Sequence, residues 1–90
     1  MNRRNQVTEL LNQYIECNTK GDLLHGFIAP ISRGYADVVC IDGHNIRVCT
    51  YDRNGNYRGG ITFDDVDDAA LFLVNLDIDL TNLITPEDMY

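Results

Sequence analysis

Two turn signals, Asp42-Gly43-His44-Asn45 and Asn54-Gly55, divide residues 36 to 63 into three apolar runs, and they constrain the fold more than any other feature of the chain. Asn54-Gly55 suits a two-residue hairpin turn, because both residue types tolerate the positive φ that a type I′ turn requires. With those residues at the tip, Val48 faces Ile61 and Ile46 faces Phe63. The opposite side of the same ladder pairs Tyr51 with Arg58 and Arg47 with Thr62. A second hairpin with Gly43 and His44 central sets Ile41 opposite Ile46 and Val39 opposite Val48. Side chains alternate along a strand, so a slip of one residue would turn every side chain to the other face. The two turns choose the same face, which predicts a three-stranded antiparallel meander with Val39, Ile41, Ile46, Val48, Ile61 and Phe63 toward the core. The outer face then carries Ala36, Val38, Cys40, Arg47, Cys49, Tyr51, Arg58 and Thr62. Its small apolar groups are unusual for a wet surface and predict that something covers them.

Helices are expected on either side of the meander. Val7, Leu10, Leu11, Tyr14 and Ile15 recur at helical spacing and form one apolar stripe over residues 4 to 17, ended by Asn18, Lys20 and Gly21. A second helix opens at Asp64 or Asp65 as N-cap, with the next carboxylates near the positive end of the helix dipole. Its core stripe is Val66, Ala69, Ala70 and Leu73, while Leu71, Phe72 and Val74 fall outside it and call for cover by the tail or a partner. Residues 24 to 29 read as a short strand or a loop, since Pro30 would remove a ladder hydrogen bond and suits an edge position or a loop. Residues 76 to 81 read either as a strand or as a tail returning over the helix. Gly59-Gly60 predicts a bulge or room for a neighbour such as Tyr51, and Thr85-Pro86-Glu87-Asp88 has the pattern of a helix start. The expected architecture is α+β: a three- to five-stranded antiparallel meander with an N-terminal helix and a second helix after the meander, both packed on one face. At 90 residues it fills a single domain over positions 1 to 90.

Catalytic equipment is sparse. The histidines are His25 and His44, and His44 falls at a hairpin tip where it is hard to hold rigid. Cys40, His44 and Cys49 lie within ten residues, but the tip and the outer face point differently, and structural zinc wants four ligands. Asp52, Asn54 and Asn56 begin like a calcium loop, then fail at Tyr57, where the sharp-turn glycine belongs, and at Phe63, where the bidentate glutamate belongs. Turn chemistry accounts for the same residues. No metal, no cofactor and no enzymatic activity are therefore expected. Three cysteines, Cys17, Cys40 and Cys49, are too few for a disulfide scaffold, and no apolar run approaches a membrane span. A cytoplasmic chain with free thiols is expected.

Charge is placed unevenly. All seven Lys and Arg precede residue 59, whereas residues 59 to 90 carry eight acids and no base, within a net charge of −7. Such a pole disfavours direct nucleic-acid binding and favours encounter with a basic protein surface. In composition alone, a short acidic α+β chain of this kind resembles the small bacterial and phage proteins that neutralise a toxin, nuclease or defence enzyme by occupying its surface. That likeness implies a protein-binding inhibitor or immunity-type protein, with Asp64, Asp65, Asp67, Asp68, Asp77 and Asp79 docking on the partner. Tyr51 beside Arg58, a pairing enriched at binding hot spots, and Leu71 with Phe72 complete the expected contact residues. The alternatives are a homo-oligomeric structural or adaptor module joined through Leu71, Phe72 and the outer sheet face, and a small metal- or thiol-dependent domain built on Cys40, Cys49 and His44.

Overall fold

The computed structural model describes residues 3–19, 26–42 and 45–84. Their order is α1 (Arg3–Thr19), β1 (Gly26–Ile31), β2 (Gly34–Asp42), β3 (Asn45–Asp52), β4 (Tyr57–Phe63) and α2 (Val66–Asn75). The strands form one four-stranded antiparallel sheet in the order β1-β2-β3-β4, and the helices pack on each other and on one face of it. The fold is α+β, with the meander extended by β1. Val7, Leu11 and Ile15 of α1 meet Ala69, Ala70 and Leu73 of α2 in a core floored by Phe27, Val38, Ile46 and Val48. Tyr14 packs on Phe27 and Phe63 on Phe72, each at 5.3 Å between ring centroids.

The register of β2 differs from the expectation. Val38 pairs with Val48 and Cys40 with Ile46, so Ala36, Val38 and Cys40 face the core and Val39 does not. Next to the turn, Asp42 still pairs with Asn45, as a Gly43-His44 hairpin requires, but a bulge between Cys40 and Asp42 leaves Ile41 unpaired and 49 % exposed. The reason is Asp37. The parity that would bury Val39 also turns Asp37 into the core, and an ionised carboxylate removed from water without a partner costs several kcal/mol. Exposing one isoleucine costs about 1.5–3 kcal/mol, so the bulge is the cheaper arrangement.

At the other hairpin two deviations cancel. Asp52 pairs with Asn56 through Asp52 N to Asn56 O at 2.9 Å, so the loop has three residues, Arg53-Asn54-Gly55, in place of a two-residue turn, and Gly55 takes φ +85°. The Asp52 carboxylate accepts from the amides of Asn54 and Asn56, both at 2.9 Å, and from Asn56 Nδ2 at 3.2 Å. A bulge at Arg58 then restores the pairing of Val48 with Ile61 and Ile46 with Phe63. Arg47 pairs with Thr62 as expected, but Tyr51 pairs with Tyr57 and not with Arg58. Ile61 faces the helices from the free edge and stays 46 % exposed.

Pro30 lies on an edge strand, and its missing N–H falls on the outer side, where only its carbonyl is needed. Residues 76–84 run there as an irregular tail and not as a strand. Asp79 N donates to Pro30 O at 2.9 Å, Ser32 N to Leu76 O at 3.2 Å, and Ile28 and Ile84 exchange two bonds of 2.8 Å. The tail begins with a Schellman-type end to α2: Ile78 N donates to Leu73 O and Asp77 N to Val74 O, with Asp77 at φ 61° and Ile78 fully buried. The expected cap at Gly21, the turn residues Gly43 and His44, His25, and the helix start at Thr85 lie outside the described residues.

Candidate interaction surface

Both helices lie on one side, and among the described residues no element covers the other side of the sheet. Its positions follow from alternation: Ile28 and Pro30 in β1, Tyr35, Asp37 and Val39 in β2, Arg47, Cys49 and Tyr51 in β3, and Tyr57, Gly60 and Thr62 in β4. The bulge at Arg58 brings Tyr57 opposite Tyr51, and Tyr51 lies opposite Tyr35. Three tyrosines thus form one ladder. Tyr35 and Tyr51 stack with centroids 5.0 Å apart and planes 14° from parallel, and Tyr57 meets Tyr51 edge-on at 5.7 Å. The Tyr35 hydroxyl reaches over Gly55 of the hairpin loop. Tyr57 leans across Gly60, where an added Cβ would stand 2.8 Å from its hydroxyl and 3.3 Å from the Cys49 sulfur. Only glycine leaves that ring its place.

Beside the ladder, Ile28, Pro30 and Tyr35 together with Ile84 of the tail outline a shallow apolar depression of about 450 Å³. The charges on this face are few and perturbed. Asp37 stands opposite Ile28 and Cys49, and partial burial raises its pKa above the ordinary aspartate value. Loss of solvent, followed by the nearby Cys49 and Asp37, also raises the Tyr51 hydroxyl. Arg47 hydrogen-bonds to Cys49 and to Tyr57, and these contacts, led by Cys49, strengthen its hold on its proton. A half-dry aspartate, a tethered guanidinium and amphipathic rings on an otherwise apolar sheet have the composition of a contact surface, since Tyr and Arg carry a large share of binding energy at interfaces.

The residues expected from the sequence to bind a partner do not gather in one place. Tyr51 belongs to the open face. Arg58 is turned by its bulge to the helix side of the sheet, so the Tyr51–Arg58 pair does not form. Leu71 is 45 % exposed on α2, whereas Phe72 packs on Phe63. The six aspartates divide between the two ends of α2, a helix of 10 residues and so about 15 Å long. At the start, Asp65 is the N-cap and accepts from Asp67 N at 2.8 Å, with Asp64, Asp67 and Asp68 exposed around it. Beyond its end, Asp77 pairs with Arg3 at 2.8 Å on the surface. Asp79 accepts from the Thr81 hydroxyl at 2.6 Å, Asn82 Nδ2 at 2.7 Å and Thr81 N at 2.9 Å, which lowers its pKa to about 2. Asp65, Asp77 and Asp79 therefore have structural work, and none of the six belongs to the strands that carry the ladder.

Cys40 is buried in the core and Cys49 lies on the open face, so the two thiols do not share a site. No group of three or more His, Cys, Asp or Glu side chains among the described residues is placed to hold a metal ion. Among the described residues no helix is long and apolar enough to cross a membrane. Tyr35, Tyr57 and Asp37 were missed by sequence reasoning: Tyr35 and Asp37 come to the open face through the bulge at Ile41, and Tyr57 through the bulge at Arg58. No protein-family model matches the chain, and neither a curated protein nor a solved structure matches it significantly.

Proposed function

We propose that the chain is a small protein-binding domain of the inhibitor or immunity type, which works by occluding a surface of its partner, and that the contact is made by the open sheet face around Tyr35, Tyr51 and Tyr57. The observation that carries this reading is the tyrosine ladder, which no described element covers and which is continuous through Tyr35 with the apolar depression at Ile28 and Pro30. Amphipathic rings held by one another and by the sheet lose little freedom on binding. The partner contributes an apolar centre with hydrogen-bonding groups for the tyrosine hydroxyls. Asp64, Asp67 and Asp68 act from the far side as a long-range field that favours a basic partner and speeds encounter without entering the contact. A platform for single-stranded nucleic acid would also use stacked rings, but it needs a basic groove, and this face offers Arg47 against Asp37.

Site-specific photo-crosslinking in the cells that naturally produce the chain tests the reading. The photoreactive residue benzoylphenylalanine is placed at Tyr57, at Asp68 or at Glu9. A protein adduct formed at position 57 and absent at 68 and 9 supports the open face. Adducts at 68 without 57 move the contact to the acidic pole, and no protein adduct at 57 removes the proposal. A second copy is the next reading, because Asp37 and Arg47 occupy diagonal positions and give the face one acid and one base, as a two-fold contact requires. A monomer by sedimentation at all concentrations excludes it.

A further inference from the structure

The helix side of the sheet holds a second feature, which shares with the open face only Tyr51. Where α2 ends, the sheet runs on beyond it, and a cavity of about 480 Å³ opens between them. This is within the range of about 300–1,000 Å³ usual for small-ligand sites. Its apolar wall is made by Ile31 at the end of β1 and by Phe72 and Leu76 of α2 and its cap. Its polar wall is made by Arg33 of the β1–β2 turn, Arg58 of β4 and Asp52 of β3. A third guanidinium stands alongside, since Arg53 Nη2 donates to Ser32 O at 3.2 Å. Three of the chain's seven cationic side chains thus collect at one end of a protein whose net charge is −7.

The charges do not cancel within the site. The Asp52 carboxylate is committed to three hydrogen bonds from Asn54 and Asn56, and those bonds, with Arg58 nearby, keep it below the ordinary aspartate range and anionic. It offsets Arg58. Arg33 makes no ion pair with any described residue. The bulge accounts for how Arg58 comes to be there. In an unbroken β4 ladder it would stand opposite Tyr51 on the open face. The extra residue, permitted by Gly59 at φ +140°, sends it through to the cavity. Bulges re-aim side chains in this way beside functional sites.

We infer that this cavity binds the carboxylate of an amphiphilic monoanion, with its charge at Arg33 and Arg58 and its apolar body against Phe72, Leu76 and Ile31. Asp52 offsets one of the three guanidinium charges and Arg53 is engaged with the Ser32 carbonyl, so Arg33 is left to meet an anionic group, and a planar carboxylate matches the fork of an arginine. A dianionic phosphate would face Asp52. The same chemistry is available from a free organic acid or from the C-terminal residue of a peptide.

The test is an NMR titration of the whole chain, following arginine side-chain N–H and Phe72 ring signals. The probes are phenylacetate, its neutral amide, and the peptide Gly-Gly-Phe as free acid and as amide. The inference predicts saturable shifts at Arg33, Arg58 and Phe72, with each acid binding about tenfold or more tighter than its amide. Arg58→Gln and, separately, Arg33→Gln weaken the acid by a similar factor, while the charge-matched control Arg4→Gln does not. A peptide acid tighter than phenylacetate assigns the site to peptide C-termini, and the reverse assigns it to free acids. The inference is overturned by no saturation up to about 10 mM, which corresponds to less than 3 kcal/mol of binding. Equal affinity of acid and amide, or unchanged binding by both arginine variants, overturns it as well. None of these results bears on the open sheet face.

Discussion

Replacing Val38 and Val39 by alanine, one at a time, interrogates the bulge that decides which face of β2 is buried. Val38 has no solvent exposure and packs among Phe27, Ala36 and Val48, whereas Val39 is half-buried on the open face. Val38→Ala removes two buried methyl groups, about 1.6 kcal/mol of transfer free energy at about 0.8 kcal/mol each. The cavity left behind adds roughly 1 kcal/mol where neighbours relax only in part. The expected loss is about 2–3 kcal/mol, which for a domain of this size lowers Tm by roughly 10–20 °C. Val39→Ala removes the same atoms from a half-wet surface and costs about 0.5 kcal/mol, a few degrees at most. Thermal melts by circular dichroism, with urea titrations to confirm an unchanged m-value, measure both. A larger loss at Val39 than at Val38, or equal losses, would refute the bulged register and restore the unbroken one, in which Val39 is the core residue.

Asp65→Ala removes the N-cap of α2 and should cost about 1 kcal/mol, seen as a drop of about 4–8 °C in Tm, while Asp68→Ala costs much less. Two aspartates should respond to pH in opposite senses. Asp37 has a raised pKa, so its contribution is fully present below the ordinary aspartate value of about 3.9 and declines as pH rises through its folded value. Asp37→Asn should then melt above wild type at neutral pH and match it in acid. Asp79, held at about 2 by Thr81 and Asn82, contributes above about pH 3.9 and loses that contribution as pH falls through 2. Asp79→Ala should be less stable than wild type at pH 7 and indistinguishable from it below pH 2. Gly59→Ala places a side chain at φ +140° with open space around it, so the cost is backbone strain of about 1–3 kcal/mol. It should also alter the near-ultraviolet dichroism of the tyrosine ladder, because the bulge that positions Tyr57 is disfavoured.

The sequence made the helices legible because their signals are local. The spacing of Val7, Leu11 and Ile15, the cap at Asp65 and the stripe of Ala69, Ala70 and Leu73 each depend on neighbours within one or two turns. Pro30 narrowed its segment to an edge strand or a loop, and the edge strand is what forms. The strand faces were harder, because parity is a long-range property that a single inserted residue reverses. The turn at residues 42 to 45 was read with the correct pairing of its ends, yet the bulge at Ile41 turned the strand beyond it. Two clues to that reversal were present: Ala36, Val38 and Cys40 made an implausibly apolar outer face, and Asp37 shared its parity with Val39. On β4 the longer loop and the Arg58 bulge compensated each other, so the pairing of Val48 with Ile61 was right although that of Tyr51 with Arg58 was not. The tyrosine ladder and the arginine cavity both follow from these bulges, which is why neither could be read from alternation. The acidic residues were evident, but their division between capping, tail anchoring and free surface depends on where the chain turns after Asn75.

The reactivity of the two strand thiols tests the division of the sheet most directly. In a Cys17→Ser background, a thiol-specific disulfide reagent is added to the native protein and labelling of Cys40 and Cys49 is followed separately by mass spectrometry. Cys49, on the open face, should be labelled promptly, whereas Cys40, 2 % exposed among Val38, Ile46 and Val48, should react only as fast as the protein unfolds. Prompt labelling of both at similar rates would place them on one exposed face and contradict the account.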